Sequence, residues 1–281
     1  LGHPVNVAYE AATADLKDVN KVDNFHLEAY GKMAVNYNRD IDVFPVVRSI
    51  LTKISGSELV YQSPTDMGVN MAGYCICDDA ACVEASKQEV IRRYYKALCD
   101  FKNGTAKPST IERLEFLMSR LEISPSDRKV VAAALRKNEE NAGRGAVAIE
   151  LSDGTLVSGK NSEIMSASAA CVFNAVKVLA GIDDSVKLIS PYVIGPILDL
   201  KTKILKDKEN TLTLDEALLA LSICAATDVC AARAIEKLPE LRECEAHSSH
   251  MLYKADENPF RKLGVNLTCE PEFLDNTLFN N

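Results

Sequence analysis

The sequence predicts a mixed α/β protein in three parts. Three observations predict it. Short apolar runs separated by polar clusters open the chain over residues 1–55. Helical periodicity dominates residues 56–143. An Asp-Gly turn between two apolar runs opens residues 144–281 as a second α/β region.

In the first part, Val5 to Tyr9 and Met33 to Tyr37 read as buried strands. Phe44 to Ile54 carries Phe44, Val47, Ile50, Leu51 and Ile54 at helical spacing and stops at Gly56. The second part is an all-helical subdomain. Glu84 to Lys102 places Val90, Ile91, Tyr94, Tyr95, Leu98 and Phe101 on one face, and Asn103-Gly104 ends it. Thr110 to Leu121 turns Leu114, Leu117, Met118 and Leu121 inward. Ser126 is placed to cap a third helix running to about Asn141, with Lys129 where a capping box needs Glu, so that no capping box forms.

Gly143-Arg144-Gly145 marks a boundary. In the third part, Ala146 to Leu151 and Thr155 to Gly159 flank Ser152-Asp153-Gly154, a hairpin signal. Helices are expected at Ser166 to Ala180, Gly195 to Lys206, Asp215 to Thr227 and Ala231 to Lys237. Short strands are expected at Val186 to Ser190 and near Cys244 to His247.

Composition narrows the function classes. With 47% hydrophobic and 26% charged residues among 281, disorder and disulfide-miniprotein readings fail. Lys+Arg 32 against Asp+Glu 40 gives a net charge of -8 without a basic tract, so neither nucleic acid nor an anionic membrane is an expected partner. The most apolar segment, Ala167 to Ile182, is interrupted by Asn174 and Lys177 and is no membrane span. Nine cysteines, an odd number without framework spacing, point to free thiols in a reducing, cytoplasmic setting. The chain opens Leu1-Gly2-His3-Pro4-Val5, directly ahead of a buried strand, so it is expected to be the C-terminal part of a longer polypeptide.

Several clusters carry chemistry. Glu10, Thr13, Asp15 and His26 crowd the loop after the first strand, where open α/β sheets bind ligands. They suit a general base, a metal ligand or a hydroxyl anchor, or serve as turn formers on an acidic surface. Asn36 and Arg39 follow the second strand. Arg39 beside Asp40 and Asp42 is either an anion clamp or part of a charged helix start. Asp66 and Asn70 lie in the glycine-containing loop Ser63 to Gly73, and Arg92 and Arg93 on the polar side of the next helix. Together they could hold a phosphorylated ligand, or Arg92 and Arg93 could be a solvated helix face. Cys75, Cys77 and Cys82, and separately Cys244, His247 and His250, are incomplete zinc sets. No metal site is assigned and no zinc is expected. No nucleophile elbow, zincin helix or P-loop motif is present.

Long stretches resemble one family. They include Val5 to Leu16, His26 to Gly31, Val35 to Asp40, Ser63 to Gly73, Ser86 to Glu89 with Arg92 to Tyr95, Leu188 to Pro191, Cys244 to His247 and Asp256-Glu257 with Arg261 to Gly264. The chain is identified as similar, nearly throughout, to domain-of-unknown-function family eighteen-forty-six. The resemblance implies an upstream half with a glycine-rich, P-loop-like phosphate loop ending in Lys. That N-terminal half of the same polypeptide would be the first partner. Residues 1–55 would then be the tail of a P-loop-like α/β domain, with ATP and Mg²⁺ as cofactors. Asp15 would act as base or Mg²⁺ ligand, with His26 beside it as a further catalytic group, and Arg39 or Arg92 would stabilise phosphate charge. His250 and Cys77 fall outside the family pattern.

The last part also resembles a cytidine deaminase in order. The Asp153 to Glu163 hairpin, Asn174-Ala175 and Ser190-Pro191 follow one another as in that fold. Ala170 and Val172 stand where a zinc ligand and the catalytic Glu belong, and no Cys follows Pro191. The expectation is a three-layer deaminase-like subdomain without deaminase chemistry. The functional expectation is a nucleotide-dependent enzyme, for phosphoryl transfer or NTP hydrolysis. The alternative is a non-catalytic assembly subunit, with self-association into a homo-oligomer or larger assembly.

Overall fold

The computed structural model describes residues 53–56, 79–207 and 210–274, and for 79–86 and 120 the backbone only. The expected strands Val5 to Tyr9 and Met33 to Tyr37 lie outside the described residues. Residues 53–55 are helical and Gly56 follows at φ +70, where the sequence placed a helix end. The chain forms two compact units, residues 1–94 with 107–127, and residues 95–106 with 128–281.

Helix α1 (Asp79–Lys102) starts five residues before its expected N-terminus. Its residues up to Tyr94 belong to the first unit, where Val90 and Ile91 are buried. Helix α2 (Pro108–Arg120) starts with Pro at its first position, where the missing N–H costs nothing, and buries Leu114 and Met118 four residues apart. Ser126 does not cap a helix. Its hydroxyl pairs with Ser124 at 2.6 Å inside the 3-10 turn Pro125–Asp127, and Asp127 accepts from the Ser124 N–H.

The second unit holds the sheet. Helix α3 (Lys129–Glu140) precedes the hairpin β1 (Ala146–Glu150) and β2 (Leu156–Lys160). The turn between them forms as Asp-Gly predicts, with the Asp153 carboxylate accepting from Thr155 N–H and Gly154 at φ +83. Helix α4 (Ala167–Ala180) is capped by the Ser166 hydroxyl and ended by Gly181. Then come α5 (Pro191–Asp199), a π-helical segment Leu200–Ile204, α6 (Leu214–Ala225) with a complete Thr213–Glu216 capping box, and α7 (Val229–Lys237). Strand β3 (Glu245–Ser248), α8 (Lys254–Leu263) and β4 (Asn266–Cys269) close the unit.

The strand order is β2-β1-β3-β4, with β1 antiparallel to both neighbours and β3 parallel to β4. Side chains alternate across it. Val147, Ile149 and Ala246 face a large core with α4, α6, α7 and α8. Ala148 faces the other way, onto Ala133 and Ala134 of α3. Gly159 lets α4 lie directly on β2. A Cβ there would strike the Cys171 N and stand 2.6 Å from the Ala170 carbonyl carbon.

Two further expectations fail. Val186 to Ser190 is no strand but a connection that buries Leu188 and Ile189 and ends on Ser190, the cap of α5. Phe101, expected inward, is exposed. The βαβ unit at β3–α8–β4 was missed. Pro259 disguised α8, because it stands at the sixth of ten positions, inside the helix, where it lacks the N–H that would reach back one turn.

Candidate functional site

Arginine clusters are prominent in both units, Arg92 with Arg93 in the first and Arg128 in the second. They differ in how their donors are used.

In the first unit, Glu89 on α1 reaches one turn forward to both arginines. Its two carboxylate oxygens accept from Arg92 Nε and Arg93 Nε, each at 2.9 Å. Positions i+3 and i+4 share one side of a helix, so a single Glu can orient both groups. The Arg93 side chain is only 11% exposed. Its Nη1 is buried and has no hydrogen-bond partner among the described residues. An unmet charged donor is expensive to bury, so the position favours an acceptor from outside the described residues.

In the second unit, Arg128 stands at the N-terminal cap of α3, where its side chain caps nothing and instead enters the sheet. At 1% exposure it uses its whole fork. Nε donates to Thr268 Oγ1 at 3.1 Å, Nη2 to the carbonyls of Ala246 at 2.9 Å and Asn266 at 2.6 Å, and Nη1 pairs with Glu245. Such a group is a structural rivet between β3, β4 and α3.

His247 on β3 lies beside it, fully buried. Its Nε2 is 3.2 Å from a Glu270 carboxylate oxygen and its Nδ1 2.8 Å from Thr268 Oγ1. Tyr95 packs tilted against the ring, centroids 4.8 Å apart and planes 59° apart, and donates its hydroxyl hydrogen to Glu270 at 3.3 Å. Burial holds the imidazole below its usual pKa, Glu270 pulls the other way, and Arg128 adds to the depression. The neutral ring therefore donates Nε2–H to Glu270 and accepts the Thr268 hydroxyl hydrogen at Nδ1. On protonation Nδ1–H would donate to Thr268 Oγ1, and that hydroxyl would turn to the Ala246 carbonyl 3.2 Å away. Glu270, about a quarter exposed, is the polar outlet of this chain.

The zinc set at the end of the chain does not converge. Cys244 belongs to the apolar core and His247 faces the opposite side of the sheet. His250, its pKa lowered to about 4 by burial, has its Nδ1 3.3 Å from the Ser249 hydroxyl oxygen. No group of three or more His, Cys, Asp or Glu fit to hold a metal occurs among the described residues. Of the sequence-derived site residues, only Arg92 and Arg93 are described, and Glu89 joins them. Glu10, Thr13, Asp15, His26, Asn36, Arg39, Asp66 and Asn70 lie outside the described residues, as do Cys75 and Cys77. The Tyr95–His247–Glu270 chain was missed, because a Tyr on a helix and a His on a strand give no local signal that they meet.

Comparison with known proteins now places the chain. Residues 1–122 match the family described as Domain of unknown function DUF1846, N-terminal, and residues 126–279 match Domain of unknown function DUF1846, C-terminal. The chain belongs to this DUF1846 family. It is 50% identical over 288 aligned residues to a UPF0371 protein of Clostridium botulinum (strain Alaska E43 / Type E3), and 49% identical to those of Clostridium botulinum (strain ATCC 19397 / Type A) and Clostridioides difficile (strain 630). These alignments cover 99–100% of this chain, and the chain spans 57% of the length of those relatives. One expectation is thereby corrected. The N-terminal family domain, expected upstream of this chain, is matched by residues 1–122 of the chain itself. No described helix is long and apolar enough to cross a membrane.

Proposed function

We propose that the protein binds a phosphorylated ligand, with Arg93 as an anion clamp preset by Glu89. The observation that carries this reading is the contrast between the two arginines. Arg128 spends its guanidinium fork on the protein, whereas Arg93 keeps a buried donor without an acceptor among the described residues. A guanidinium whose Nε is already fixed meets a phosphate with little further loss of side-chain freedom.

The fuller form of this proposal is a nucleotide-dependent enzyme carrying out phosphoryl transfer or NTP hydrolysis with ATP and Mg²⁺. In that form Asp15 is the base or Mg²⁺ ligand and His26 stands beside it. Glu10, Thr13, Asn36, Arg39, Asp66, Asn70 and Arg92 complete the ligand shell. The family's description names no activity, so the reading rests on these residues.

Isothermal titration of the chain with ATP-Mg²⁺, ADP and inorganic phosphate tests it. Binding of at least one is expected, weakened about tenfold or more in Arg93→Gln, which corresponds to roughly 1.4 kcal/mol. Arg93→Lys keeps the charge and should retain part of the affinity. No binding of any of the three by the wild type overturns the proposal.

The deaminase-like reading of the last region is also a proposal. It is supported by the β1–β2 hairpin running into α4. Cys171 on α4 sits in the core with its thiol pushed up to about 12 by burial, which suits packing rather than zinc. Zinc found at Cys171 would overturn the zinc-free form. The alternative function, an enzyme-like fold serving as an assembly subunit, is favoured by one observation, an exposed apolar face on α5 and α6.

A further inference from the structure

Helix α5 buries no residue fully, although nearly all of its side chains are apolar. Along α5 and the π-helical segment, Tyr192, Pro196, Leu200 and Ile204 recur every four residues, and all are exposed. Leu219 and Ile223, also four apart, are exposed on α6, and Val229 opens α7 beyond them. Tyr192 is 92% exposed, Val229 75%, Ile204 70% and Leu219 67%. Such spacing on a helix normally marks the side that is covered.

The π-helical segment is held rather than loose. Its i to i+5 bond runs from Leu205 N–H to the Leu200 carbonyl at 2.9 Å. Lys201 turns inward, nearly buried, and donates to Glu216 at 2.8 Å and to the Thr211 carbonyl at 2.7 Å. The ion pair ties the segment to the first turn of α6, so the apolar stripe is fixed before any partner arrives.

Size and charge indicate what covers it. Tyr192, Leu200, Ile204 and Leu205 along α5 and its π-helical extension, with Leu219, Ile223 and Val229 on α6 and α7, are large apolar side chains exposed repeatedly rather than singly, and a standard interface takes roughly 800 Å² from each partner. The edge of the patch carries both signs in balance, Asp199 and Asp207 against Lys203 and Lys206, all exposed, with Lys203 2.8 Å from Asp199. On a chain of net charge -8, a locally neutral face is where two like copies meet without repulsion, and a two-fold axis sets its lysines against the other copy's aspartates.

We propose that a second copy of this chain docks on the α5–α6 face through a two-fold, isologous interface. This stands independently of the anion site.

Sedimentation velocity of the chain at micromolar concentration is the test. The wild type should sediment as a dimer. Ile204→Asp and Leu219→Asp should each raise the dissociation constant tenfold or more while circular-dichroism melts stay near wild type. Leu156→Asp, a change at an exposed apolar residue on β2, should leave the dimer intact. Should a variant misfold, amine cross-linking of the wild type decides. Intermolecular links joining Lys203 or Lys206 of the two copies support the face. A monomeric wild type, a dimer surviving both substitutions, or links confined to other surfaces would overturn it.

Discussion

The two faces of the sheet in the second unit are buried by opposite means. On one side, Val147, Ile149 and Ala246 pack into an apolar core with Val172, Leu214, Leu221 and Phe260. On the other, the same strands present Ala148, His247 and Thr268 to α3, Arg128 and the end of α1, and polar groups do much of the filling. The apolar face tolerates any set of side chains of the right volume. The polar face tolerates only a set in which each donor meets an acceptor. The comparison teaches where this fold is fixed by shape and where by hydrogen-bond geometry.

The largest expected effect strikes the apolar face. Gly159→Ala drives a methyl into the backbone of α4 at Ala170 and Cys171, which cannot yield as a side chain tip can. A loss of more than about 3 kcal/mol, seen as a lowered thermal midpoint or failure to fold, is expected. A normal melt would show that α4 can lift from β2.

Next is the polar face. Arg128→Met keeps much of the volume but leaves Glu245 and the carbonyls of Ala246 and Asn266 without their guanidinium partner. Chemical denaturation should report a loss of about 3 kcal/mol. A neutral or stabilising outcome would mean that shape dominates on this side too.

The smallest effect sharpens the comparison through pH. His247 and His250 both have folded pKa values held below the usual 6.5 by burial, His250 at about 4. As pH falls below 6.5 the unfolded chain takes up protons that the folded chain does not. Stability is therefore full above 6.5 and declines towards pH 4, by on the order of 2–3 kcal/mol for His250 alone. Denaturation midpoints at pH 7.5 and 4.5 check the sign, and His250→Asn should flatten part of the slope. A slope unchanged in that variant would assign the effect to other groups.

The elements legible in the sequence are those with local causes. The Asp153-Gly154 turn, the Ser166 cap with Gly181 at the other end of α4, and the periodic stretches of α2 and α6 need only neighbours a few residues away. Val186 to Ser190 was read as a strand because Val186, Leu188 and Ile189 are apolar, and they are indeed packed, but without a strand partner. Burial and strand pairing leave the same mark on composition. Of the candidate site, the sequence singled out Arg92 and Arg93. It gave no reason to join them to Glu89, or to separate Arg93 from Arg92.

By itself, then, the sequence determined the family, the mixed α/β class, the hairpin and most helices of the second unit, because caps, turns and periodicity act over a single turn of chain. Only the tertiary structure decided that α3 covers the sheet on one side while α4 covers the other. It also brought Arg128 to partners 117 to 140 residues away, set Tyr95 against His247, and left Tyr192, Ile204 and Leu219 exposed. Those outcomes depend on which distant surfaces meet and which polar groups lose water together, and no run of neighbouring residues encodes that.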